Sequence, residues 1–225
     1  MFGPRWTELG VFLSGQRDLD ADHFCEWVSR MNIVFLDRDG VINEFPGNGN
    51  YVTKVKEFHF IPGSLEAIRE LTEMNFTIFI ISNQAGVGKG VFSRAKLKSI
   101  NDHMLKHVTK AGGRIKRSFY CTHRSDAGCD CRKPRIGNLK RAFALVKSNI
   151  RSAKKTFFVG DTEADIKTGY TAGCRTIFAL SGREDRRYMR KWEIKPDFIV
   201  KNLKEAVRVI RHENSHHPRN GRSRT

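Results

Sequence analysis

Two aspartates one residue apart, Asp37 and Asp39, close the apolar run Ile33-Val34-Phe35-Leu36 and are followed by Gly40. Residues two apart in a strand point to the same side. Both carboxylates are therefore expected to project from the strand's carboxyl end, with Gly40 allowing a sharp exit. Carboxylates about 4 Å apart repel by about 4 kcal/mol at an effective dielectric of about 20, a cost that a hard cation such as Mg²⁺ offsets. An acidic strand-end turn would look the same in isolation, but three further segments argue against it. Ser82-Asn83-Gln84 end a second apolar run, Lys133 follows a cysteine-rich loop, and Asp161 ends the run Thr156 to Gly160, with Asp165 one helical turn on.

Together these residues describe metal-assisted phosphoryl transfer. Asp37 is expected to attack phosphorus and form an aspartyl-phosphate. Asp39 is expected to protonate the leaving oxygen and then deprotonate the water that cleaves the adduct. Asp161 is expected to complete a Mg²⁺ site with Asp37 and a backbone carbonyl. Ser82 and Lys133 neutralise the equatorial phosphoryl oxygens. Taken singly, Ser82 also suits a strand-end hydroxyl bonded to its own loop, and Asp165 equally suits a helix N-terminus. Gly86, Gly88 and Gly90 read as flexible loop glycines, because no Gly-Lys-Ser/Thr phosphate loop is present.

A second constellation is Cys121-Thr122-His123, five residues, then Cys129-Asp130-Cys131. Cys121, His123, Cys129 and Cys131 can supply a closed Cys₃His set for Zn²⁺. Four protein ligands leave no open position, so the ion would be structural and would fix the loop presenting Arg132 and Lys133. Three buried thiols and a surface histidine are the plainer alternative. The chain has five cysteines, an odd number with three clustered, which argues against a disulfide framework and for a reducing compartment. Cys25 and Cys174 read as buried thiols.

The elements that must position these groups alternate. Strands are expected over 32–37, 76–82, 115–121, 155–160, 174–180 and 197–200. Helices are expected from Pro62-Gly63, from a Ser93 cap to about Lys110, and over about 137–148, 163–171 and 203–210. Repeated strand–helix units imply an α/β fold, a Rossmann-like parallel sheet with helices on both faces. Ligands gather outside the carboxyl ends of such strands, where the reactive residues fall. The expected organisation is an extension over 1–30, with Met31 itself a candidate start, one domain over 31–212, and a basic disordered tail over 213–225.

Net charge is +17 at pH 7. Arg132 to Lys155 holds nine basic residues and no acidic one, and Arg183 to Lys191 adds a second cluster. A solvated basic surface around an anion site is favoured over a nucleic-acid groove, because few aromatics are interleaved with the basic stretch. No apolar run approaches the roughly 20 residues that span a bilayer, and residues 1–30 lack a secretory h-region. A cytoplasmic, soluble monomer acting on a small phosphorylated molecule, with no membrane or nucleic-acid partner, is the expectation.

Asp37-Arg38-Asp39-Gly40-Val41-Ile42, the Ser82-Asn83-Gln84 strand end, Cys131-Arg132-Lys133-Pro134 and Gly160-Asp161-Thr162-Glu163-Ala164-Asp165 resemble, in order, the four motifs of the haloacid dehalogenase superfamily of phosphohydrolases. The zinc-type loop and Asn48-Gly49-Asn50-Tyr51-Val52 narrow the resemblance to D-glycero-D-manno-heptose 1,7-bisphosphate 7-phosphatases and related histidinol-phosphate phosphatases. It covers about residues 32 to 212. It implies Asp37 as nucleophile, Asp39 as proton donor, Ser82 and Lys133 as phosphoryl stabilisers, and Arg132 as a substrate-recognition residue. It also implies Mg²⁺ at Asp37, the Asp39 carbonyl and Asp161, Zn²⁺ at the Cys₃His set, and a pocket lined by Tyr51, Ser82, Asn83, Gln84 and Ala85. Such enzymes have a minimal cap, so the zinc loop and the Phe45–Lys56 loop would form the rim. Arg135 and the helix near Gly137 would steer a distal phosphate.

Two departures stand out. Thr162 replaces a lysine of the best-known heptose phosphatases, and Phe45 to Asn48 is an insertion. The sugar phosphate implied is heptose 1,7-bisphosphate, with histidinol phosphate as the nearest rival. A nucleic-acid 3′-phosphatase and a non-catalytic phosphate-binding scaffold are the more distant alternatives.

Overall fold

The computed structural model describes residues 31–146 and 155–215; the extension over 1–30, Cys25 and the end of the tail lie outside them. Six parallel strands form one sheet: β1 (Asn32–Leu36), β2 (Phe76–Asn83), β3 (Ile115–Cys121), β4 (Lys155–Gly160), β5 (Arg175–Ala179) and β6 (Phe198–Val200), in the spatial order β3-β2-β1-β4-β5-β6. The principal helices are α1 (Ser64–Glu73), α3 (Arg94–Lys110), α4 (Gly137–Leu145), α5 (Glu163–Thr171) and α7 (Leu203–Ser215). Short helices α2 (Ala85–Gly88) and α6 (Arg186–Met189) and a 3₁₀ turn (Val55–Glu57) complete the described set. This is the doubly wound arrangement the alternation predicts.

Strand alternation sorts the core. Val34, Leu36, Ile78, Ile80, Phe157 and Val159 pack under α1, α3 and α7, whereas Ile33, Phe35, Phe79, Ile81 and Phe158 face α4 on the other side. Phe35 centres that second layer, stacked on Phe79 at 5.8 Å and edge-on to Phe143 at 5.4 Å between centroids. Both faces of β1 are thus dry, which is why it reads as a continuous apolar run. Order reverses at β1, which pairs with β2 on one side and β4 on the other, so the switch-point crevice opens where Asp37 and Asp161 emerge.

Several boundaries differ from expectation. Ala85–Gly88 is a helical turn rather than a flexible loop, closed by Lys89 N–H donating to Ala85 O at 3.0 Å. Ser93 caps α3, its Oγ accepting from Lys96 N. The last helix runs through Ser215 rather than ending near 210, because Leu203, Ala206, Val207 and Ile210 hold it on the sheet and its polar last turn simply continues. The expected tail boundary at 213 therefore falls inside a helix. Helix α4 is described to Leu145, and the predicted continuation toward 148 lies outside the described residues.

Candidate active site and metal centres

Asp37 leaves β1 with its N–H donating to Val159 O at 2.9 Å, which places its carboxylate beside the end of β4. Lys133 Nζ reaches it from the cysteine-rich loop, 2.9 Å from Asp37 Oδ1 and 2.5 Å from Asp165 Oδ1, and donates to Ile81 O at 2.9 Å. The Lys133 backbone is clamped to the end of β2: Lys133 N donates to Asn83 Oδ1 at 3.1 Å, and Asn83 Nδ2 donates to Lys133 O at 3.2 Å. Ser82 is buried beside it. Asn83 is thus a positioning group as well as a lining one.

Asp39 is held separately. Arg38, fully buried, donates to both of its oxygens at 2.9 Å, Asn43 Nδ2 donates to Oδ1 at 2.9 Å, and Gln84 Nε2 donates to Oδ2 at 2.8 Å. The Arg38 guanidinium lies over Phe58 and Tyr120. The sequence reading gives Arg38 and Asn43 no role; an arginine set between two motif aspartates is the available signal for the first. Gln84 faces Asp39 and Ser82 and does not line the cavity as expected. The repulsion between Asp37 and Asp39 is therefore offset first by Lys133 and Arg38. The demand for a metal arises elsewhere.

It arises at Asp37, Asp161 and Asp165, whose oxygens lie within 4.8 Å of one another, all buried. One lysine leaves that trio two charges short. Asp165 is already committed: Oδ2 accepts from Thr162 N and Oγ1 in a capping box, and Oδ1 faces Lys133. Its cap role and its place in the cluster are both realised. Asp161 Oδ2 accepts from Arg183 N at 2.7 Å, but its Oδ1 is buried with no hydrogen-bond partner. An orphaned buried carboxylate oxygen facing two other acids fits a hard divalent cation. Close packing enforces the geometry: a Cβ on Gly182 would sit 2.0 Å from Asp161 Oδ2, and one on Gly40, whose φ is +84°, 2.3 Å from the same atom.

Electrostatics agree. Burial, with Asp165 and Asp39 adding, raises Asp37 to about 6 against the pull of Lys133. Burial, Asp37 and Asp165 push Asp161 well above the usual carboxylate range. Burial disfavours the Lys133 charge, but Asp165 and Asp37 outweigh it and raise its pKa. A carboxyl whose folded pKa is raised stabilises the fold fully below its ordinary pKa and loses that contribution as pH rises through the folded value. The metal-free protein should therefore lose up to about 3 kcal/mol from Asp37 between about pH 4 and 6, and Mg²⁺ should restore it. Thermal melts are expected to show a larger Mg²⁺-induced rise in Tm at pH 7.5 than at pH 5; equal rises would contradict this account of the cluster.

The cysteine-rich loop brings its four candidates together. Cys121 and Cys129 Sγ are 3.6 Å apart, Cys129 and Cys131 3.6 Å, Cys121 Sγ and His123 Nδ1 3.8 Å, and His123 Nδ1 and Cys131 Sγ 3.2 Å. A tetrahedron with metal–sulfur bonds of about 2.3 Å has edges of about 3.8 Å, so the set fits one tetrahedral ion. Burial, then Cys121 and Cys129, push the Cys131 thiol up to about 12, the crowding a cation would relieve. Cys174 is a free, buried thiol, as expected.

One cavity of about 270 Å³ joins these parts. Asp37, Asp39, Ser82, Asn83, Ala85, Lys133 and Asp161 line it together with Tyr51, Arg132, Phe45, Pro46 and Gly47, and Arg183 and Glu184 are unforeseen additions. Thr162 lines it too, with its hydroxyl turned into the cap. Arg135 does not line it; its Nη1 donates to Cys129 O at 2.6 Å and braces the loop instead. Among the described residues, no helix is long and apolar enough to cross a membrane.

A family model described as HAD-hyrolase-like matches residues 130–206. The D-glycero-beta-D-manno-heptose-1,7-bisphosphate 7-phosphatase of Pseudomonas putida is 32% identical over 156 residues, covering 69% of this chain and 86% of the relative. The D-glycero-alpha-D-manno-heptose-1,7-bisphosphate 7-phosphatase of Campylobacter jejuni is 31% identical over 179 residues, covering 79% of this chain and 95% of the relative. Among solved structures, the D,D-heptose 1,7-bisphosphate phosphatase of B. bronchiseptica complexed with magnesium and phosphate superposes with a TM-score of 0.74. It shares 29% identity and covers 81% of this chain and 99% of that one. At this identity and coverage, and with a fold in common with the solved relative, the chain belongs to the haloacid dehalogenase-like phosphoric monoester hydrolases, in the family of the heptose-1,7-bisphosphate 7-phosphatases.

Proposed function

We propose that this protein removes the phosphate at C7 of D-glycero-D-manno-heptose 1,7-bisphosphate through an aspartyl-phosphate on Asp37. The observation that carries the reading is the buried Asp37 carboxylate, set between Lys133 and the unpartnered Asp161 oxygen in a cavity that Arg132 also lines.

Lys133 and Ser82 hold the equatorial oxygens of the transferring group, while Asp37 Oδ attacks phosphorus and the sugar oxygen departs. Asp39, oriented by Arg38, Asn43 and Gln84, gives that oxygen its proton and takes one from the water that cleaves the adduct. Asp37, the Asp39 carbonyl and Asp161 would hold Mg²⁺, which would supply the positive charge that lets a phosphate dianion approach these acids. Arg132 and Tyr51 orient the sugar. Zn²⁺ on Cys121, His123, Cys129 and Cys131 fixes the loop that delivers Arg132 and Lys133, and a thiol site of this kind suits a reducing cytoplasm.

The test is turnover, in defined Mg²⁺, of the two anomers of the heptose bisphosphate beside histidinol phosphate. At least one anomer is expected to exceed histidinol phosphate in kcat/KM by tenfold or more. Equal and feeble turnover of all three would overturn the assignment.

A further inference from the structure

Arg183 lies outside every motif, yet it lines the same cavity as the carboxylates. The loop that carries it is built rigidly against them. Ser181 Oγ donates to Gly40 O at 2.7 Å, Arg183 N to Asp161 Oδ2 at 2.7 Å, Glu184 N to Asp161 O at 3.2 Å, and Glu163 N to Glu184 Oε2 at 2.9 Å. The Arg183 backbone is thus fixed relative to the reacting centre, while its guanidinium makes no hydrogen bond or ion pair with any described residue. A neighbour offers a contrast: Arg187 is closed onto Asp185 at 2.7 Å.

Arg132 enters the cavity from the cysteine-rich loop, and its Nη1 is buried without a hydrogen-bond partner. Two guanidiniums from unrelated loops, both with donors unspent, share one small cavity that already has its own lysine for the reacting phosphate. Glu184 and the carboxylates of the same cavity meet part of their charge, but the guanidinium donors themselves stay unused, and the planar guanidinium fork matches phosphate oxygens. Building on the bisphosphatase reading, we infer that Arg183, with Arg132, binds the second, non-reacting phosphate of the substrate and so selects bisphosphates over monophosphates.

Arg183→Ala is expected to raise KM for the heptose bisphosphate about tenfold to a hundredfold, the usual worth of a charge-assisted contact, with kcat changed far less. Arg183→Lys should recover part of the loss. Arg186→Ala, which removes an exposed arginine that does not line the cavity, should leave KM in place and so excludes a general loss of positive field.

A second arm is independent of the heptose. Fructose 1,6-bisphosphate and fructose 6-phosphate are compared as competitive inhibitors of a chromogenic monophosphate ester. The bisphosphate should bind wild type more tightly, and Arg183→Ala should abolish that advantage. Equal weakening of both inhibitors, an advantage that survives the substitution, or none in wild type would overturn the inference. Failure of the substrate panel with the inhibitor result intact would instead sink only the choice of sugar.

Discussion

Asp37→Asn should reduce kcat by at least about 10⁴-fold, the scale seen when a nucleophile is removed from a cooperating set, while leaving the protein folded. The amide has the same shape but cannot form an acyl phosphate, and its nitrogen presents donors toward Lys133. Stability should move the other way. Burial and the neighbouring acids already disfavour the Asp37 charge, so replacing it with a neutral group relieves repulsion among Asp37, Asp161 and Asp165. In chelator at pH 7.5 the variant should melt at or above the wild-type temperature, and added Mg²⁺ should raise its Tm much less than that of wild type. Single-turnover assays with melts at both metal conditions read all three effects. Retained turnover would remove Asp37 from the mechanism, and an unchanged Mg²⁺ response would remove it from the metal site.

Cys131→Ser is expected to have the second largest effect, and on both stability and activity. Cys131 is buried, lies 3.2 Å from His123 Nδ1 and 3.6 Å from Cys129 Sγ, and stands two residues before Lys133. Structural zinc contributes its binding free energy to folding, and losing one of four ligands should cost about 3–5 kcal/mol here. That corresponds to a fall in Tm of about 6–20 °C at this chain length. If the four residues hold zinc as proposed, metal analysis should give one ion per wild-type chain and close to none in the variant. Turnover should fall at least tenfold even where the variant is folded, because this loop delivers Lys133 and Arg132, and the Asn83 clamp and the contacts of Lys133 with Asp37, Asp165 and Ile81 O would have to hold it without the loop's own brace. Wild-type protein treated with a mild chelator should recover fully with Mg²⁺ alone, since the closed site exchanges slowly. A Cys131→Ser protein with wild-type zinc content and melting temperature would show that the four residues do not form a metal site.

Much of this molecule was legible in one dimension. The apolar runs at 33–36 and 76–82 and the segment 155–160 read as strands, which the structure buries on both faces, and their alternation with amphipathic segments pointed to a parallel sheet. Strand ends then placed Asp37, Ser82 and Asp161 at one edge, because parallel strands all end on the same side. The close spacing of Cys121, His123, Cys129 and Cys131 needed no long-range information either. What the chain order did not carry was who compensates whom. Arg38 reaches Asp39 rather than solvent, Asn83 clamps Lys133 fifty residues away, Gln84 turns inward, Arg135 braces a carbonyl, and Arg183 arrives from a loop with no motif. Hydrophobic periodicity is a local property and survives in sequence, whereas hydrogen-bond and charge partners are chosen by distances of a few ångströms between segments far apart in the chain. Those pairings exist only once the sheet has brought the loops together.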